Sequence, residues 1–113
     1  MGGNYILDGG GEPVECVDLM AFSAWYGSRS GRTDWIVGKT VVGGYEVSTV
    51  FLAIDHNFGG CGAPILWETM VFHAGGGYRE AGDHTRRYTS RSDAVRGHAE
   101  VVAEVVLGME GSS

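Results

Sequence analysis

The chain has 113 residues and a mass of 12.0 kDa, which fits one domain and leaves no room for a second core. Hydrophobic residues make up 43% and charged residues 19%, which excludes a disordered chain and a coiled coil. Eight basic and 14 acidic residues give a formal charge of −6, which argues against a general nucleic-acid binder, because that needs a positive surface.

No apolar run approaches the ~20 residues of a membrane span, and no basic stretch followed by an apolar one opens the chain. Neither a membrane segment nor a signal peptide is therefore expected. Cys16 and Cys61 are lone thiols without CxxC spacing. One disulfide is open to them, but reduced thiols and a cytoplasmic location are the expectation.

In chain order, Tyr5 to Leu7 and Val14 to Cys16 read as a β-hairpin around Asp8-Gly9-Gly10-Gly11. Asp18 is placed to cap a helix starting at Leu19 and ending at Gly27. Its period puts Leu19, Phe22 and Tyr26 on one face, with Trp25 beside them. Residues 28–34 are polar and read as a loop carrying Arg29 and Arg32. Trp35 to Val42 and Tyr45 to Ile54 are strands joined at Gly43-Gly44. In the second of these, Val47, Thr49, Phe51 and Ala53 share a face opposite Ser48, Val50, Leu52 and Ile54. Both faces are substantially apolar, so one is expected to meet a helix and the other a partner subunit.

Residues 55–64 form a longer connection. Ile65 to Phe72 is the next strand, and Tyr78 to Glu80 with Thr85 to Tyr88 supply one more pair or one bent strand. Ser90-Arg91-Ser92-Asp93 has the form of a capping box. The helix it opens is expected to run to about Leu107 with Gly108 as its stop. Val95, His98, Val102 and Val106, widened by Ala94, Val101 and Val105, form its sheet-facing stripe. The sum is an α+β fold: a mostly antiparallel sheet with a short helix in the N-terminal half and a C-terminal helix packed on it. The domain spans residues 1–108, and 109–113 read as a tail.

Four histidines and several acids invite a metal reading, with Asp55, His56, Glu68, His73, His84 and His98 as candidates. No HExxH, HxH or CxxC spacing supports it, and His56 and His73 fall at opposite ends of a hairpin more than ~20 Å apart. No metal and no cofactor are expected. Cys61 with His56 is a weak thiol-imidazole pair, and no nucleophile elbow or P-loop is present. Glu68 lies in an apolar strand and needs a partner there. Either an Arg fixes it structurally, or it faces a ligand.

The basic residues are concentrated. Residues 79–96 hold five of them against three acids, a local +2 that leaves −8 for the remainder. Phe51, Phe58, Trp67 and Tyr88 are candidates to stack on a planar base. Arg86, Arg87 and Arg91 are candidates to hold phosphate, with Asn57 beside them and Arg29 or Arg32 within reach from the loop. The helix start at Ser90 adds free N–H groups and the positive end of a dipole. The competing interpretation makes the aromatics core and the arginines surface.

Three blocks carry a resemblance. Ser48-Thr49-Val50-Phe51-Leu52-Ala53-Ile54-Asp55-His56-Asn57-Phe58, then Glu68-Thr69-Met70-Val71-Phe72, then Arg87-Tyr88-Thr89 and Gly97-His98 resemble a family of small tailed-phage proteins of unknown function, over about residues 4–106. In size and sheet-then-helix order the chain is also similar to the Thoeris anti-defence sponges. The resemblance implies an oligomeric phage accessory protein that sequesters a nucleotide-type signal, such as a cyclic ADP-ribose isomer or cyclic dinucleotide, without turnover. The sponge type's ligand residues do not map onto this chain one by one. Two alternatives stay open: a phage protein that blocks a host protein by direct contact, and a small hydrolase using Asp55, His56 or Glu68.

Overall fold

The computed structural model describes residues 3–57, 62–74 and 85–111. Strands β1 (Tyr5–Leu7) and β2 (Pro13–Glu15) form a two-stranded antiparallel hairpin. Helix α1 (Leu19–Gly27) and a 3-10 turn (Ser28–Gly31) follow. Strands β3 (Ile36–Val42), β4 (Tyr45–Phe51), β5 (Trp67–His73) and β6 (Arg86–Tyr88) make one antiparallel sheet in the order β3-β4-β5-β6. Helix α2 (Arg91–Gly111) ends the chain. The fold is α+β, as the sequence predicts. The strand expected at Tyr78 to Glu80 lies outside the described residues.

Local chemistry explains the boundaries. The Asp18 carboxylate accepts from the Met20 and Ala21 amides and starts α1. Strand β4 stops at Phe51, short of the expected Ile54, because Ala53 takes φ +69° and turns the chain out of the sheet. Ile54 then bridges to Asn4, which ties the β1–β2 hairpin to the end of β4. The Ser90 hydroxyl accepts from the Asp93 amide, while the Asp93 carboxylate pairs with Arg96 instead of returning to Ser90. Helix α2 runs through Gly108, not stopping there. Glycine inside a helix costs about 1 kcal/mol and does not by itself end one.

Helix α2 lies across one face of the sheet. Val47 and Val71 meet Val101 and Val105 in one apolar cluster. Phe51, Trp67 and Leu66 meet Ala94, Phe22, Trp25 and Leu7 in another. Val95, expected on the packed stripe, is 54% exposed, because the contact line runs through Ala94, His98, Val101 and Val105. Leu19 is likewise turned out of the core, which takes Phe22 and Trp25 from α1.

A polar chain runs between the two clusters. Thr40 Oγ1 is 2.9 Å from His98 Nε2, and His98 Nδ1 is 2.7 Å from Thr49 Oγ1. Thr49 and Thr69, directly opposite one another in β4 and β5, join their hydroxyls at 2.5 Å, and Thr69 reaches the Tyr88 hydroxyl at 2.9 Å. One helix residue is thereby bonded to β3 and β4, and through β4 to β5 and β6. Two glycines let the layers close. A Cβ on Gly38 would strike the His98 ring, and one on Gly97 would overlap the Tyr88 hydroxyl.

Neutral imidazole satisfies this chain, donating at one nitrogen and accepting at the other. Burial holds the His98 imidazole below the usual histidine range. The unfolded chain then binds a proton that the folded chain resists, so stability is lost as pH falls below about 6.5. The urea midpoint of the wild type should drop between pH 7.5 and pH 5.5 more steeply than that of His98→Gln; equal slopes would remove His98 from the titration. Gly97→Ala should lower stability by about 1–3 kcal/mol through overpacking against Tyr88, read as a lower melting temperature.

Candidate functional site

The structure disperses the residues that the sequence groups. Phe51 and Trp67 are 0% and 2% exposed, and their rings pack together at 5.5 Å between centroids. They are core residues and present no ring face to a ligand. Tyr88 lies against Gly97 under α2 with its hydroxyl bonded to Thr69, so it is also occupied internally. Asn57 braces its own loop: its amide N–H donates to Asp55 Oδ1 and its side chain donates to the Ala63 carbonyl. The same Asp55 oxygen accepts from the Ile65 amide, which gives Asp55 a structural role. Phe58, Cys61 and His84 lie outside the described residues.

The three arginines diverge. Alternation on β6 sends Arg86 and Arg87 to opposite faces of the sheet. Arg86 lies on the α2 side and pairs with Glu100 and Glu104. Arg87 lies on the other face, where its Nε donates to Glu68 Oε2 at 2.8 Å. Glu68 and Arg87 are directly opposite in the ladder between β5 and β6. Glu68 is thus paired with arginine, one of the two roles open to it from the sequence. Arg91 opens α2 and lies over Gly11 in the β1–β2 turn, where φ is +81° and a Cβ would meet the guanidinium. One phosphate cannot engage Arg86 and Arg87 together.

Sequence reasoning placed Arg29 and Arg32 in a polar loop and missed what they touch. The Arg29 guanidinium carbon is 3.7 Å from the Tyr26 ring centroid and 5.2 Å from that of Trp35. Arg32 lies 5.1 Å over Trp25 and makes a two-point ion pair with Asp34. Trp35 Nε1 donates to the carbonyls of Arg29 and Arg32 and closes the turn. Spacing carried part of this signal, since Tyr26 and Arg29 are three residues apart and Asp34 follows Arg32 by two. Arg29 Nε and Trp25 Nε1 are both buried with no acceptor among the described residues.

Among the described residues no three histidine, cysteine, aspartate or glutamate side chains converge as a metal site requires. No described helix is long and apolar enough to cross a membrane. No protein-family model matches the chain, and neither does any curated protein or solved structure.

What remains for ligand contact from the predicted set is Arg87, half exposed and oriented by Glu68, with Arg91 at the helix start. Truncation separates these roles. Phe51→Ala should cost about 3–5 kcal/mol by opening a core cavity. Arg87→Ala should cost about 1–3 kcal/mol, because it leaves Glu68, whose side chain is only 13% exposed, without its partner. Urea denaturation of the two variants checks both; a Phe51→Ala loss below about 1 kcal/mol would return that ring to the surface.

Proposed function

We propose that the chain is a non-enzymatic phage accessory protein that captures a small anionic, nucleotide-type signalling molecule, acting as a homo-oligomer in the cytoplasm of an infected cell. The observation that supports this reading is the Glu68–Arg87 pair. Glu68 holds Arg87 through Nε, and among the described residues the Nη groups make no hydrogen bond, which leaves their N–H donors for a second acceptor. A guanidinium oriented in this way retains the planar fork that fits a phosphate, and less side-chain entropy is lost on binding. Arg91 supplies a second positive charge at the start of α2, where the helix dipole also favours an anion. With Phe51, Trp67 and Tyr88 internal, recognition is led by the phosphates.

The decisive measurement is a thermal-shift screen of the full chain against cyclic dinucleotides and ADP-ribose isomers. A ligand at ~100 times its Kd adds roughly 2.7 kcal/mol to stability and raises the melting temperature accordingly. Arg87→Ala combined with Arg91→Ala should remove that shift, and the ligand should be recovered chemically unchanged after heat denaturation. A ligand returned hydrolysed would make the protein an enzyme. No shift with any member of the panel would overturn the ligand reading in favour of direct contact with a host protein.

A further inference from the structure

Five groups share the four hydrogen bonds between α2 and the sheet: Thr40, His98, Thr49, Thr69 and Tyr88. Each hydroxyl carries one proton and the neutral imidazole carries one, so the chain holds one proton more than it has bonds. The place of the spare proton depends on the sense of the chain. In one sense Tyr88 donates to Thr69, Thr69 to Thr49 and Thr49 to His98 Nδ1. His98 Nε2–H then donates to Thr40, and the spare proton belongs to Thr40 on the outermost strand β3. In the opposite sense the spare proton belongs to the Tyr88 phenol. That hydroxyl lies against the buried Gly97 and has no second acceptor among the described residues. The phenol is also the most acidic of the four hydroxyls and hence the strongest donor. Acidity and burial thus select the first sense, with the imidazole protonated at Nε2.

We propose that this chain is a directional relay, with His98 as the Nε2–H tautomer, and that protonation of Nδ1 reverses it and releases β6. A proton taken from solvent turns Nδ1 from acceptor to donor. Thr49 must then accept from the ring and donate to Thr69, and Thr69 must donate to Tyr88. The phenol proton is left without its acceptor; hydroxyls rotate, and no bond between heavy atoms breaks. Among the described residues no charged group is placed to offset the new charge. One helical turn away on α2 stand Ala94, Val101 and Val102. On β3, β4 and β5, the charged Lys39, Glu46 and Glu68 alternate to the face away from α2. On the α2 side, Arg86 is already joined to Glu100 and Glu104, and His73 lies beside Tyr45, four residues along β5 from Thr69. Strand β6 is the element with least to hold it. It is three residues long, is paired to β5 alone among the described residues, and is anchored under α2 by Tyr88. Arg87 stands next to that anchor, so release of β6 undoes the Glu68–Arg87 pair. The relay thereby makes the site of the proposed function sensitive to acid. That consequence rests on the ligand reading, whereas the release of β6 does not.

Nitrogen correlation spectra of the histidine rings read the tautomer, with His98 assigned by its absence in His98→Gln. Nε2 should carry the proton at pH 7.5. Hydrogen exchange reads the release. The Leu66 amide donates to the Tyr88 carbonyl. Its protection, corrected for the intrinsic rate, should fall at least tenfold from pH 7.5 to pH 5, while amides at the centre of β4 keep theirs. Thr69→Val cuts the relay and leaves the imidazole titrating, and His98→Gln does not titrate; in both, that pH response should vanish. A proton on Nδ1 at pH 7.5 overturns the inference. So does loss of protection in β4 and β6 together, which is destabilisation of the whole domain, and so does a response that survives Thr69→Val. Any ligand found in the thermal-shift screen should bind at least tenfold more weakly at pH 5 in the wild type but not in His98→Gln; equal weakening in both would remove the relay from control of the site. Release of β6 with no ligand response in the screen would keep the relay and remove the ligand reading.

Discussion

One imidazole holds the two layers of this domain in register. His98 is the polar residue of α2 that reaches between two apolar clusters, and its two nitrogens bond Thr40 on β3 and Thr49 on β4. The chain then passes through Thr69 to Tyr88, so every strand of the main sheet contributes one hydroxyl. Apolar contacts alone would let a helix slide by a turn along a sheet of valines, since hydrophobic attraction is non-directional. A buried hydrogen-bond chain does not slide. Each bond contributes about 1 kcal/mol, but leaving a partner unmade costs about 1–3 kcal/mol, and that penalty fixes the register. Gly38 and Gly97 are the steric counterpart, because the ring and the phenol occupy the space where their side chains would stand.

Much of this architecture was legible in the sequence. The alternation along β4 separated Val47, Thr49 and Phe51 from Ser48 and Val50 without saying which face meets α2, while Asp18 and Ser90 named both helix starts. What the pattern could not provide was rotation. Val95 and Leu19 fit their apolar stripes by period, yet both are turned outward. On α2 the close approach of Gly97 to Tyr88 sets which side faces the sheet, and a two-residue contact of that kind leaves no periodic trace. The two threonines read as ordinary strand residues for the same reason: their value lies in a partner 49 positions away for Thr49 and in one another across the ladder.

The candidate site was harder to read, because aromatic and arginine residues are equally at home in a core and in a pocket. Phe51, Trp67 and Tyr88 belong to the core, while Arg86 turns back to two acids of α2. Adjacent strand residues face opposite ways, so Arg86-Arg87, which looks like a doubled charge in sequence, is one charge on each face. Local composition sees the +2 of residues 79–96 and cannot see this division. The arginine–aromatic combination does occur, but at Tyr26, Arg29 and Trp35, where it shapes the turn between α1 and β3.

The only lysine in the chain, Lys39, stands at the middle of β3, the outermost strand of the sheet. Among the described residues no strand pairs with its outer side, and an open edge offers amide and carbonyl groups to any extended segment that comes alongside. An ammonium group there must be stripped of water before another strand can settle, and two such chains placed edge to edge would set like charges against each other. Lys39 therefore acts as a guard against fibrillar growth. The open-ended strand addition from which amyloid is built meets a charge at the centre of this edge.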